Sequence, residues 1–265
     1  MSEATAAYYL EEQLKRHDPD LLVVEAFVPS AARKDFRALM GTWFELRDPI
    51  YGAADPEVAL ARLGWWREEW QRLSEQCPRH PLTQQLAARA DFAADDIDAG
   101  LVSVAQLLQL ESCASWEEIE TFVDGVAGSV ATVERRLFEA DQALLQDVWA
   151  DVVSMDLLLG LAALVRKGRA FLPLDISAEL QVTRQDLTES DRAHGRVVSA
   201  LAEARTERAP QAVAGAHSWI YRAVLQRRVR AVSRGGRECG AIPKLWAAWR
   251  AARGTRSMAL GHDHG

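Results

Sequence analysis

Apolar residues recur along most of the chain at the three- and four-residue spacing of an amphipathic α-helix. In the clearest segment, from Ile119 to Leu137, they mark one face of a helix of several turns. Sustained two-residue alternation is missing and no proline occurs between Pro81 and Pro173, so the pattern favours helices over strands. It predicts ten helices, near residues 5–17, 31–48, 56–75, 82–90, 97–111, 116–137, 139–166, 184–206, 211–233 and 239–252.

Local signals agree with several of these helix starts. Asp55, Pro56 and Glu57 offer an N-cap, a proline at the first helical position and an acid in the first turn. Ser115 and Glu118 have the spacing of a capping box. The connections are short, and no Gly/Ser-rich or Pro-rich linker divides the chain. We therefore expect a single all-α domain over residues 1–255, followed by a flexible C-terminal tail over residues 256–265.

Composition narrows the class of protein. The segment from Leu144 to Val165 is apolar on nearly every side, which predicts a central, buried helix. No apolar run reaches the roughly 20 residues of a membrane span, and the N-terminus lacks the basic and apolar regions of a secretory signal. The cysteines, Cys77, Cys113 and Cys239, are isolated, which argues against a disulfide scaffold. With 265 residues, 49% of them hydrophobic, the chain is expected to be globular, soluble and cytoplasmic.

Acidic and basic residues are unevenly distributed. Residues 1–207 carry 36 acids and 20 bases, a net charge of −16, whereas residues 208–265 carry 2 acids and 11 bases, a net charge of +9. This asymmetry predicts an anionic partner for the C-terminal part. The basic amphipathic helix near residues 219–232 suits either an ordinary packed helix or one that lies on the inner, anionic face of a membrane. The arginines of its basic side are Arg222, Arg227, Arg230 and Arg234.

A family resemblance begins at residues 167–175, Lys-Gly-Arg-Ala-Phe-Leu-Pro-Leu-Asp, which resemble the G-R-x-Y-L-P-x-D segment of squalene/phytoene synthases. Four further segments resemble motifs of that family in the same order: residues 27–39, residues 62–69, His80-Pro81 and residues 122–130. The resemblance covers residues 20–250 and implies a single isoprenoid-synthase-type helical domain around a central cavity. The cavity-lining candidates are Phe44, Phe122, Val126, Ser129 and Phe171.

The same resemblance implies where catalytic acids are expected. Enzymes of this family ionise an allylic diphosphate with Mg²⁺, which binds to two D-x-x-x-D motifs on facing helices, and Mg²⁺ needs hard oxygen ligands. Here the aspartate positions of the second motif are Gly and Leu, and those of the first motif are Arg and Tyr. The degenerate first-motif positions are Arg47, Asp48 and Tyr51, and the degenerate second-motif positions are Asp156, Gly160 and Leu164.

A short basic run follows the second motif. Arg166, Lys167 and Arg169 suit either a binding site for a diphosphate or another anion, or a solvated helix end where cations are favoured by the helix dipole. The sequence alone leaves both interpretations open.

The motifs therefore favour a non-catalytic member of the family, without a metal or other cofactor, that binds an isoprenoid lipid or a protein partner as an assembly or scaffold protein. Its motif state resembles that of the branch that includes mitochondrial complex I assembly factors. The alternative is a prenyl-diphosphate-using transferase that performs head-to-head condensation with Mg²⁺ and acids placed elsewhere. A peripheral membrane scaffold is a third hypothesis. No motif for nucleic-acid binding is present, so no nucleic-acid partner is expected.

Overall fold

A computed structural model describes residues 3–52, 55–169, 171–204, 216–235 and 239–261. In these ranges every regular element is helical, in agreement with the predicted all-α class. The α-helices are α1 (Glu3–His17), α2 (Asp20–Glu25), α3 (Arg33–Tyr51), α4 (Pro56–Ser74), α5 (Pro81–Ala87), α6 (Asp98–Gln109), α7 (Trp116–Phe138), α8 (Gln142–Arg166), α9 (Leu174–Leu180), α10 (Arg184–Glu189), α11 (Asp191–Ala204), α12 (Ser218–Ser233) and α13 (Ala241–Gly261).

The differences from the predicted helices have local causes. Helices α2 and α9 have six and seven residues, too few for a 3.6-residue period to appear in the sequence. The helix predicted over residues 184–206 is two helices, because Ser190 adopts an extended backbone and its hydroxyl accepts a hydrogen bond from Ala193 N at 3.2 Å. For the helix predicted at 211–233, residues 211–215 lie outside the described residues. Helix α13 continues past residue 255, so the predicted tail over 256–265 begins inside it, and residues 262–265 lie outside the described residues.

One predicted helix start is confirmed and another is wrong in part. The Asp55 carboxylate accepts a hydrogen bond from Glu57 N at 2.8 Å, with Pro56 at the first helical position. At the start of α7, the Ser115 side chain makes no capping bond. Glu118 instead accepts from Ala114 N at 3.0 Å. The expected reciprocal capping box is therefore replaced by a single bond one residue upstream.

Helix α8 is the central helix of the fold, as its apolarity predicts. It packs against α3, α7, α10, α11 and α12, and Trp149 and Leu164 on it are fully buried. The expectation that no segment has the length and composition of a membrane span is wrong for this helix. However, 67% of its most apolar 18-residue window is buried inside the protein, which is what a core helix requires.

The start of α12 is attached to the core by one buried carboxylate. Glu134 on α7 accepts hydrogen bonds from Trp149 Nε1 at 2.6 Å, His217 N at 2.9 Å and Ser218 N at 3.1 Å. Burial raises the pKa of Glu134, although these hydrogen bonds oppose the shift. Three donors from α8 and the start of α12 thus converge on one side chain of α7.

The imidazole of His217 predicts a specific pH dependence of stability. It lies edge-on to Phe36 and Phe138, at ring-centroid distances of 6.3 and 4.6 Å, and burial lowers its pKa to about 4. The unfolded chain takes up this proton near pH 6.5 but the folded chain only near pH 4, so acidification through this window favours unfolding. We expect a loss of about 1–2 kcal/mol at pH 5 relative to pH 7 from this residue.

Urea unfolding at a series of pH values measures this term. His217→Phe keeps the aromatic contacts and the backbone donor to Glu134 but cannot titrate, so its stability is expected to fall less between pH 7 and pH 5. Equal losses in the variant and the native protein in that window would contradict the assignment.

Candidate functional site

Helices α3 and α8 face each other through an ion pair. Arg47 Nε lies 2.9 Å from both carboxylate oxygens of Asp156. The Asp156 side chain is 7% exposed and that of Arg47 is 20% exposed. Two residues separated by 109 positions in the sequence are therefore neighbours at the centre of the helix pair, where little water screens their attraction.

Tyr51 lies one turn from Arg47 on the same face of α3. Its hydroxyl donates a hydrogen bond to the backbone oxygen of Asp156 at 2.9 Å, and the Arg47 guanidinium lies 4.3 Å from its ring centroid. The ring rests directly on Gly160, where an added Cβ would lie 2.8 Å from Cζ of Tyr51. A glycine at this position is therefore what lets the tyrosine pack against α8.

The protonation states of this group follow from burial and charge. Burial disfavours the charge of Arg47, but the negative charge of Asp156 outweighs that effect and raises the pKa of Arg47. Burial raises the pKa of the Tyr51 hydroxyl well above its ordinary value, and Asp156 adds to the shift. At neutral pH the Arg47 guanidinium is therefore charged and the Tyr51 phenol is neutral.

A second polar group lies on the side of α3 that faces α1 and α4. Arg62 Nη2 lies 2.5 Å from Glu45 and 3.2 Å from Asp48, and Trp66 Nε1 donates to Glu45 at 3.1 Å. His17 Nδ1 lies 3.0 Å from Asp48. Both acids near the first motif thus have partners from neighbouring helices.

The pKa values of the two acids shift in opposite directions. Burial raises the pKa of Glu45, and the attraction of Arg62 only partly offsets it. Burial also acts on Asp48, but the hydrogen bond and charge of His17, with help from Arg62, hold the pKa of Asp48 below its usual range. Asp48 is therefore ionised at neutral pH, and its charge is matched inside the protein.

The basic run after α8 does not form one exposed surface. Arg166 ends the helix and is exposed, and Lys167 donates a hydrogen bond to the backbone oxygen of Tyr51. Gly168 then adopts a left-handed backbone, with φ of 76°, which turns the chain inward. Arg169 is only 6% exposed. The structure thus separates the three predicted anion-binding residues, and their proposed role stays a prediction.

The five cavity-lining candidates lie in different parts of the helical packing. Phe44 stacks on His17 at a centroid distance of 4.8 Å, and the Ser129 hydroxyl accepts a hydrogen bond from Gly100 N at 2.9 Å. The others, Val126, Phe171 and the half-buried Phe122, belong to the core. A pocket of about 390 Å³ between α8, α11 and α12 has none of the five in its lining, so their role as cavity residues stays a prediction.

The prediction of an exposed basic face on α12 is wrong for one of its four arginines. Arg222 is 8% exposed, and its Nη2 lies 2.6 Å from Asp151 on α8. The helical period predicted that Arg222 lies on the outer face of α12, but its side chain contacts α8. The ion pair with Asp151 compensates the cost of burying the guanidinium. Arg227 is half-buried, whereas Arg230 and Arg234 are exposed.

Comparison with known proteins places this site in context. A sequence model described as squalene/phytoene synthase matches residues 14–241. The chain belongs to the squalene/phytoene synthase family. A crystal structure of a dehydrosqualene synthase in complex with ligand matches with a TM-score of 0.73 and 12% identity, covering 96% of this chain and 98% of the other. Squalene synthase HpnC from Alicyclobacillus acidocaldarius matches with a TM-score of 0.60 and 13% identity, covering 98% and 93%.

These structural matches support the fold alone at such low identity. No curated protein sequence matches the chain. The predicted single helical domain of the isoprenoid-synthase type is nevertheless confirmed, since both structures align over nearly the whole chain.

The resemblance to enzymes of the squalene/phytoene synthase family implies a Mg²⁺ site between the two motifs. The residues present do not fit that ion. The site between α3 and α8 offers one carboxylate, Asp156, which already binds the Arg47 guanidinium, and the space beside Gly160 is filled by the Tyr51 ring. Across the described ranges, no group of three or more His, Cys, Asp or Glu side chains is arranged to hold a metal ion. The donor set is that of an internal ion pair, because a divalent cation needs several free oxygen ligands.

Several residues of the site were not predicted from the sequence. His17 and Arg62 bind the acids of the first motif. Lys167 was predicted as an anion-binding residue, but its hydrogen bond to the backbone oxygen of Tyr51 was not. Arg62 lies in the segment 62–69, which resembles a family motif, and this resemblance could have marked it as a site residue. His17 had none, since its contact with Asp48 depends on how α1 packs against α3.

Proposed function

We propose that this chain is a non-catalytic member of the squalene/phytoene synthase family, which keeps the helical domain but does not ionise prenyl diphosphates. The observation that carries the proposal is the Arg47–Asp156 ion pair with Tyr51 packed on Gly160. Arg47, Tyr51 and Gly160 stand at three of the four positions at which the family motifs have aspartates, and Leu164 stands at the fourth. The proposal thus rests on what these positions contain and not on the overall fold.

The chemistry explains why this substitution matters. A departing diphosphate carries several negative charges, and metal ions that neutralise them supply several kcal/mol of transition-state stabilisation. Gly160 and Leu164 have no side-chain oxygen to bind a metal, and the positive charge of Arg47 repels a metal ion. Asp48 keeps a carboxylate, but His17 and Arg62 already contact its two oxygens.

Among non-catalytic roles, the packing favours a scaffold that contacts another molecule through its surface. The largest fully buried side chains include Trp43 on α3, Trp149 on α8 and Tyr221 on α12. The rings of Trp43 and Trp149 lie 6.0 Å apart between α3 and α8. Large rings therefore fill the region between these helices, whereas an isoprenoid chain would need an apolar channel there.

A turnover assay tests the proposal. Purified protein is incubated with farnesyl or geranylgeranyl diphosphate, MgCl₂ and NADPH, and released pyrophosphate and extracted products are measured. We expect no Mg²⁺-dependent release above that of a heat-denatured sample. Asp48→Asn and Glu45→Gln serve as matched variants, because they remove the two remaining acids near the first motif. Mg²⁺-dependent release that both variants abolish would overturn the proposal and favour the prenyltransferase alternative.

A further inference from the structure

The last helix of the protein exposes its largest apolar side chains. On α13, Ile242 is 81% exposed, Leu245 49%, Trp246 51% and Trp249 43%. These residues follow the i, i+3, i+4, i+7 spacing and so form one stripe along the helix. We call them the α13 stripe. A contiguous apolar surface of this kind marks an interaction site.

The buried side of α13 is made of small residues. Ala248, Ala251 and Ala252 are at most 8% exposed and face α12 and α2, the helices against which α13 packs. Lys244 adds an ion pair of 2.8 Å to Asp20 on α2. The helix is thus attached to the fold by alanines, and its bulky residues point outward, the reverse of ordinary core packing.

The charges beside the α13 stripe identify the kind of surface it fits. The Arg250 guanidinium lies 4.7 Å from the Trp246 ring centroid, and that of Arg253 lies 4.9 Å from the Trp249 centroid. Both arginines are exposed, and in the described part of the chain neither forms an ion pair with a carboxylate. Residues 239–261 contain four basic residues and no acidic one. The charged residues of α13 itself are therefore all positive.

We propose that α13 docks this protein onto the surface of an anionic lipid bilayer. Tryptophan favours the headgroup level of a membrane because its ring is apolar and its N–H is polar. Arginines beside it reach lipid phosphates, and each cation near such a surface strengthens binding. The net charge of −16 on residues 1–207 is repelled by the same surface. Only the C-terminal end is attracted, and this fixes the orientation of the bound protein.

This site differs from the basic face predicted on α12. That face loses Arg222 to its pair with Asp151, and it has no exposed aromatic residue among its arginines. The proposal is also independent of whether the protein turns over prenyl diphosphates, because α13 lies outside the group around Arg47.

Flotation of the full chain with vesicles tests the proposal. The vesicles are phosphatidylcholine alone or phosphatidylcholine with phosphatidylglycerol. We expect the protein to float with the anionic vesicles and Trp246→Ala/Trp249→Ala to partition at least about ten-fold less. Arg250→Gln/Arg253→Gln is expected to lose about five-fold per charge on anionic vesicles only. Trp65→Ala on α4 is the matched control, since Trp65 is 42% exposed, and it should bind like the native protein.

Thermal unfolding tests whether each variant is folded. We expect that all of them are, because the substituted side chains are exposed. Failure to float with either vesicle, or equal flotation of the double tryptophan variant, would overturn the proposal. Sedimentation analysis tests whether a second copy of this chain covers the α13 stripe instead. A native dimer that becomes monomeric in Trp246→Ala/Trp249→Ala, with no vesicle binding, would assign the stripe to that second copy and overturn the proposal.

Discussion

Asp156→Ala is expected to lower the free energy of unfolding by about 2–4 kcal/mol, because it leaves the Arg47 guanidinium without its partner between α3 and α8. The loss is smaller than for a fully buried pair, since the Arg47 side chain is 20% exposed. Replacing both partners, in Arg47→Met/Asp156→Leu, removes the charges together and should restore stability to within about 1 kcal/mol of the native protein. Chemical denaturation of the three proteins measures the effect.

The pair between Arg67 and Asp98 is the matched control. Its N–O distance is 2.8 Å, similar to that of Arg47 and Asp156, but its side chains are 58% and 48% exposed. Water screens such a pair, so Asp98→Ala should cost at most about 1 kcal/mol. A loss for Asp156→Ala no larger than that of the control, or a double variant as unstable as the single one, would show that the buried pair contributes no more than a surface pair.

Gly160→Ala is expected to destabilise the protein when residue 51 is tyrosine and to stabilise it when residue 51 is alanine. In the native protein the new Cβ overlaps the Tyr51 ring, which must shift at a cost of about 1–3 kcal/mol. In a Tyr51→Ala background the three atoms nearest to this Cβ are removed, and the same substitution should stabilise the helix by about 0.5–1 kcal/mol through its better helix propensity. A double-mutant cycle followed by thermal or urea unfolding gives the coupling between the two positions.

Gly64 provides the control for this cycle. It lies on the exposed side of α4, and an added Cβ there meets no other atom within 4 Å. Gly64→Ala should therefore be stabilising by about the helix-propensity term in both backgrounds. If Gly160→Ala behaved like Gly64→Ala in the native background, Tyr51 would not be packed against α8 as described.

Periodicity predicted the long helices well and the short ones poorly. Helices α7 and α8 have 23 and 25 residues, so their apolar pattern repeats over many turns. Helix α9 has seven, and its position depends on bonds to distant backbone, such as that from Leu174 N to Cys113 O at 3.0 Å. The information that forms such a helix is tertiary and is not present in the local sequence.

The candidate site was predictable in its composition but not in its contacts. The resemblance located Arg47, Tyr51, Asp156 and Gly160, yet the ion pair between Arg47 and Asp156 joins residues that no local spacing connects. The same limit applies to α13. Its helix was predicted over 239–252, but sequence periodicity cannot say that Ala248 faces inward while Trp249 faces solvent, because a large apolar stripe is ordinarily the buried side.

The contact between Tyr51 and Gly160 has an evolutionary consequence. If an ancestor had aspartates at the positions that the resemblance expects, return to them from the present sequence is obstructed at each single step. An aspartate at position 160 collides with the tyrosine, and an aspartate at position 51 leaves a cavity beside a glycine. Both single substitutions therefore destabilise the present fold, so selection for a folded protein opposes regaining the acidic site.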